Sequence, residues 1–260
     1  MRANGRPRVG LALSGGAVHG LAHIGVLTVL EETGIPVDYV AGTSGGSLIG
    51  AFYAAGWPTK QMRAVAGQIG WRQLVRPAWP GRGGLVSFYQ LERFVAVRLG
   101  NPRFSDLPRP FAAVAGDLAT GCPVPITSGF VAPAVCASAA VPGIVVPVEI
   151  EGRWLGDGGV FDNLPVNVVR EMGADYVIAV NVCGLRWGQA RSVLGRGLAA
   201  IESAVRWAGG GIHSADCVIE PDIADLSYVR FANRAELIAR GEAAAKAALP
   251  GVQAALSACR

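Results

Sequence analysis

Arg8 to Gly56 reads RVGLALSGGAVHGLAHIGVLTVLEETGIPVDYVAGTSGGSLIGAFYAAG, and its twice-repeated order of strand, glycine turn and helix decides the fold. Arg8 to Leu13 is a short apolar run of the kind that forms a buried strand. The turn Ser14-Gly15-Gly16-Ala17-Val18-His19-Gly20 follows. Leu21, Ile24, Leu27 and Leu30 then repeat at helical spacing up to Thr33, and Gly34 with Pro36 stops the helix. Val37 to Ala41 reads as a second strand, leading through Gly42-Thr43-Ser44-Gly45-Gly46 into a helix that reaches about Ala55. Two such units in succession predict an α/β fold: a three-layer sandwich with a mainly parallel central sheet and helices on both faces.

Beyond this stretch the signals are less regular. Trp57 to Pro110 reads as mainly helical, with a Pro- and Gly-rich loop at Arg76 to Gly84. Its aromatics Trp71, Trp79, Phe88 and Tyr89 suit either a lid over a site or a core, and core is the reading preferred. Strands are expected at Phe111 to Ala115, near Ile144 to Ile150, and at Tyr176 to Val182. Amphipathic helices are expected at Gln189 to Trp207 and Asn233 to Leu249. No linker interrupts the chain, so residues 1–260 are expected to form one domain, with a core from about 8 to 250.

Composition narrows the function classes. Hydrophobic residues make up 51% and charged residues 16%, the balance of a core-rich globular chain. The net charge of +4 is carried by scattered arginines, Lys60 and Lys246 being the only lysines. With no basic stripe and no aromatic nucleic-acid motif, nucleic acid is not an expected partner. Cys122, Cys136, Cys183, Cys217 and Cys259 are odd in number and form no metal-ligand pair, which suits free thiols in a reducing compartment. Residues 1–8 lack the apolar core of a signal peptide, and Gly129 to Val148 is broken by Pro133, Pro142 and Pro147. The expectation is a cytoplasmic protein, with room for peripheral contact at the inner face of a membrane. Oligomeric state stays open.

Ser44 stands in Gly-x-Ser-x-Gly between an apolar strand and a helix. A serine hydroxyl needs a base to take its proton and donors to hold the oxyanion, and a strained strand-to-helix corner meets both needs. The earlier turn at Gly15, Gly16 and Ala17 could cradle a phosphate or an oxyanion with its amides. As a dinucleotide loop it fits poorly, because Ser14 and Ala17 occupy glycine positions in the alternative registers. The residues leave the base open. His213 fits a Ser-Asp-His order, His19 and His23 read as packed or capping residues, and Asp157 in Gly156-Asp157-Gly158-Gly159 could act if burial raised its pKa.

Together these motifs make the chain resemble the patatin-like phospholipase family, above all its compact bacterial members. The resemblance runs from about Arg8 to Leu249 through LALSGGAVHGLAHIGVL (Leu11 to Leu27), AGTSGGSLIGAFYAAG (Ala41 to Gly56) and AVAGDLATG (Ala113 to Gly121). It continues through ASAAVPGIVVPVEIEGRWLGDGGVFDNLPV (Ala137 to Val166) and RAELIARGEAAAKAALP (Arg234 to Pro250). What it implies is a lipid acyl-ester hydrolase with a Ser44–Asp157 dyad, an oxyanion hole at Gly15, Gly16 and Ala17, and no metal or organic cofactor; the alternatives are a catalytically silent regulatory or binding protein that keeps the fold, and a triad esterase using His213. Gly20, Gly42, Gly45, Gly46, Gly158 and Gly159 would support these motifs. Two residues depart from the family pattern: Ala17 replaces its third glycine and His19 its usual basic residue. Were His19 to hold the loop or a phosphate headgroup through charge, it would do so only near or below pH ~6.5.

Overall fold

The computed structural model describes residues 5–79, 81–183, 204–205 and 208–258. The two strand–turn–helix units appear where the sequence places them. Strand β1 (Val9–Leu13) leads through a 3-10 turn at Ala17–Leu21 into helix α1 (Ala22–Glu32), and β2 (Tyr39–Thr43) leads into α2 (Gly45–Ala54). Helices α3 (Thr59–Ala66), α4 (Trp71–Leu74) and α5 (Tyr89–Leu99) follow, with a small hairpin of β3 (Arg76–Pro77) and β4 (Val86–Ser87) inside the Pro- and Gly-rich loop. Next come β5 (Phe111–Asp117), β6 (Pro123–Ile126), α6 (Val131–Ser138), β7 (Val148–Ile150), β8 (Arg153–Asp157), α7 (Val166–Glu171), β9 (Tyr176–Val180) and β10 (Cys217–Ile219). The long helix Arg234–Ala258 completes the described chain.

The central sheet has the order β10-β9-β1-β2-β5-β8-β7, with β6 paired to β5. Strands β10, β9, β1, β2 and β5 are mutually parallel, whereas β6, β7 and β8 join antiparallel. Side chains alternate across the sheet with period two. Leu11, Leu13, Val40 and Ile178 face the larger apolar layer, which includes residues of α1, α2 and the long helix. Ala12, Ala41, Ala112 and Ala179 face the smaller layer under α7. The result is an α/β three-layer sandwich, as expected.

Differences from the sequence expectations have local causes. Arg153–Asp157 forms a strand although only its last three residues are buried, so it offered no apolar run to detect. The long helix passes Leu249 and continues through Pro250 to Ala258. Pro250 and Lys246 are both exposed, so the Lys246 carbonyl that loses its helical donor can be hydrated. The reading of the four aromatics as core holds only for Phe88. Trp71, Trp79 and Tyr89 are exposed, Trp79 by 80%. The helix expected at Gln189 to Trp207 falls almost wholly outside the described residues. No helix among the described residues is long and apolar enough to cross a membrane.

Candidate active site

The site lies at the carboxyl ends of parallel strands, where open α/β sheets bind ligands. Ser44 ends the β2 turn with φ 51° and ψ −119°, a conformation that costs a non-glycine residue on the order of 1–3 kcal/mol. The surroundings hold it there. The Ser44 amide donates to Ser138 Oγ at 2.9 Å, and that hydroxyl donates to the Val114 carbonyl at 2.6 Å. Gly42 and Gly46 allow the tight corner: a Cβ on Gly42 would stand 2.4 Å from the Gly46 carbonyl oxygen, and one on Gly46 only 2.3 Å from that of Leu13. Gly20 and Gly45 meet face to face, which brings the first turn against the start of α2.

Ser44 Oγ donates to Asp157 Oδ2 at 2.7 Å. Asp157 stands at the end of antiparallel β8, which only β5 separates from β2, and its Oδ1 accepts the Gly159 amide at 2.7 Å. The carboxyl group thus caps the Gly158–Val160 turn and receives the serine at once. A Cβ on Gly158 would come 2.2 Å from the Val114 carbonyl oxygen, so this turn needs glycine to lie against β5. Burial pushes the Asp157 carboxyl up to about 6, with the Gly159 amide and the Ser44 hydroxyl opposing the rise. That is the range of a carboxylate able to accept a proton near neutrality.

The first turn presents its amides unequally. Gly15 N–H is already engaged by Asn163, through Oδ1 at 3.1 Å and the main-chain carbonyl at 3.2 Å. Gly16 and Ala17 N–H donate to no acceptor among the described residues. The expected set of three donors therefore reduces to two in this conformation. Ala17 keeps the left-handed backbone of a glycine position, with φ 46°.

None of the three histidines touches the serine. His19 is fully buried, its Nε2 lies 3.2 Å from the Leu226 carbonyl, and its ring packs edge-on against Tyr228 at 4.8 Å. Burial lowers its pKa, and the ring stands where the packed reading puts it, against the loop that carries Leu226 and Tyr228. His23, also fully buried and lowered to about 4 by burial, sits with Nε2 2.9 Å from the Ser14 carbonyl. Both are packing residues that hold the first turn. His213 is exposed on the short helix Gly211–Ser214, which packs against α7.

A cavity of about 450 Å³ opens beside Ser44, with Ala17, Leu48, Phe52, Leu91, Phe94 and Tyr228 among its walls. Almost every lining group is apolar. No group of His, Cys, Asp and Glu among the described residues could hold a metal. Ser138 and Asn163 were not singled out from sequence. Ser138 is a lone polar residue in an apolar run and Asn163 follows Asp162 within one, a weak signal that their burial makes meaningful.

The family model described as patatin-like phospholipase matches residues 11–170. The chain belongs to this family. An uncharacterised NTE family protein of Mycobacterium tuberculosis is 36% identical over 193 residues, covering 74% of this chain and 53% of its own length. Lysophospholipase nte1 of Aspergillus fumigatus is 37% identical over 183 residues, covering 67% of this chain and 12% of its own. The chain thus spans about half of the mycobacterial relative and a small part of the fungal one. Among solved structures, VipD of Legionella pneumophila superposes with a TM-score of 0.57 at 15% identity, over 95% of this chain and 67% of that one. The type III effector ExoU does so with a TM-score of 0.54 at 16% identity, over 96% and 56%. At such identities the two structures speak for the patatin-like fold alone.

Proposed function

We propose that this chain is a serine acyl-hydrolase of lipid esters, with Ser44 as nucleophile and Asp157 as its base. The observation that carries the reading is the 2.7 Å contact from Ser44 Oγ to Asp157 Oδ2 at the wall of an apolar cavity. Membership of the patatin-like phospholipase family and the name lysophospholipase borne by the fungal relatives support it. Asp157 takes the Ser44 proton as Oγ attacks the ester carbonyl carbon. The oxyanion accepts from the free Gly16 and Ala17 amides. Collapse of the tetrahedral intermediate breaks the ester C–O bond, and Asp157 returns the proton to the departing alcohol. Asp157 then deprotonates water, whose oxygen attacks the acyl carbon; the Oγ–acyl bond breaks, Asp157 returns the proton to Ser44 Oγ, and the fatty acid leaves. At about 30 Å³ for each methylene, close to a water's share of liquid volume, the 450 Å³ cavity holds one long acyl chain.

The direct test is mass-spectrometric product analysis against a mixed panel of phospholipids, lysophospholipids and neutral esters. Release of fatty acid by the wild-type chain and none by Ser44→Ala is the expected result. Turnover retained by Ser44→Ala would sink the reading.

Ser138 supplies a second prediction. Ser138→Ala leaves the part-buried Ser44 amide without its acceptor, at a cost of about 1 kcal/mol. Because the change relaxes the strained corner, kcat is expected to fall about tenfold with KM little changed, and Ser138→Thr is expected to restore much of it. Steady-state kinetics beside a thermal melt check both. A melt shift with unchanged kcat would reduce Ser138 to a purely structural residue.

A further inference from the structure

Three stretches of chain, 69–88 without residue 80, 139–146 and 226–231, each contribute residues to the wall of the cavity beside Ser44. They are stapled into one surface. Trp71 Nε1 donates to the Val229 carbonyl at 2.8 Å, Leu85 N to that of Ile144 at 2.8 Å, and Val146 N to that of Val86 at 2.9 Å. Large apolar side chains nevertheless face outward from it. Trp71, Ile144 and Val229 stand half-exposed where they line the cavity, while Trp79 at 80% and Leu85 at 74% project from the β3–β4 hairpin. Exposed apolar residues gathered in one place mark an interaction surface.

Charge says what kind. These three segments contain Arg72, Arg76, Arg82 and Arg230 and no Asp or Glu. All four arginines are exposed, and none pairs with a carboxylate among the described residues. An apolar protein partner would have to desolvate four guanidinium groups that lack a carboxylate, Arg76 having only the Tyr89 ring beneath it, which is costly. A bilayer surface accommodates both features, taking Trp and Leu into the interfacial region while phosphates meet the arginines.

We propose that this face docks on a bilayer containing anionic phospholipid, with the cavity mouth opening onto the leaflet. The proposal rests on the acyl-hydrolase reading for its purpose, since an acyl chain could then pass from leaflet to Ser44 without crossing water. Each basic residue beside an anionic surface strengthens partition about fivefold, so removing two is expected to cost about twentyfold.

Vesicle co-sedimentation of the full chain tests this, in a Ser44→Ala background so that no lipid is consumed. The chain is expected to bind phosphatidylcholine vesicles containing phosphatidylglycerol, and to release as salt rises. Arg72→Gln with Arg82→Gln should weaken binding about twentyfold, and Trp79→Ser with Leu85→Ser at least about tenfold. In the Ser44 form, Trp79→Ser with Leu85→Ser should leave cleavage of a monomeric short-chain ester unchanged, because neither residue lines the cavity. Variants that bind as tightly as their parent, or a parent that ignores anionic vesicles, would overturn the proposal. So would a dimer in lipid-free sedimentation that the Trp79 and Leu85 changes dissolve, since a second copy would then occupy the face. Vesicle binding is read without catalysis, so failure here is distinct from failure of the hydrolase reading.

Discussion

Ser44→Ala is expected to reduce ester turnover by about a millionfold, to the level of a blank. In the proposed reaction the hydroxyl supplies the atom that bonds to the acyl carbon, and the neighbouring hydroxyls are engaged elsewhere. Thr43 Oγ1 is committed to the Asp162 carbonyl and Ser47 Oγ to the Ser44 carbonyl. The substitution removes one hydrogen bond and no packing volume beyond a single oxygen. Asp157 then loses a partner that opposes the rise in its pKa, so its carboxyl stays protonated to higher pH than in the parent. Folding should survive, and a melt within a few degrees of the parent separates chemical loss from unfolding.

Asp157→Asn is expected to lower kcat/KM at least about a thousandfold while making the protein more stable above neutrality. Asparagine can still accept the Gly159 amide and meet Ser44 Oγ, so the geometry is kept and basicity is lost. In the parent, kcat/KM should rise as pH passes through about 6 and level off above it, because the ionised carboxylate is the active form. Stability runs the opposite way. The folded carboxyl holds its proton up to about 6 whereas the unfolded one releases it near 3.8, so between these values the folded state binds more protons. Burial of Asp157 therefore costs nothing below about pH 4 and its full penalty, about 3 kcal/mol, above pH 6. The neutral carboxamide removes that penalty. The melt of Asp157→Asn should match the parent at pH 4 and exceed it at pH 8. Asp162, also raised to about 6 by burial, is common to both proteins and cancels in the comparison. His213→Ala is expected to leave activity unchanged, and a collapse of turnover there would restore a histidine-based triad.

The β1 and β2 units were legible because their signals are local: an apolar run, a glycine turn and a helical repeat, each within about a dozen residues. Ser44 was legible for the same reason. Asp157 was not, because its meeting with the serine depends on β8 pairing antiparallel with β5, across a sequence separation of 113 residues. Its local sequence says only that a tight turn is present, and the resemblance to a family supplied its role. Ser138 and Asn163 were hidden for a related reason. Nothing in ASAAVP or FDNLP shows that one hydroxyl will hold the Ser44 amide, or that one carboxamide will occupy Gly15 N–H. His19 lies inside the fold, in keeping with its reading as a packed residue, and desolvation lowers its pKa.

The dyad is tested most directly by peptide mass spectrometry after exposure to a fluorophosphonate, which captures an activated serine without requiring the right lipid. The wild-type chain should carry the adduct on the peptide containing Ser44, forming faster as pH rises through about 6. Asp157→Asn should label at least about a thousandfold more slowly. A folded wild-type chain that gains no adduct on Ser44, or an Asp157→Asn protein that labels at the wild-type rate, would contradict Ser44 as a nucleophile activated by Asp157.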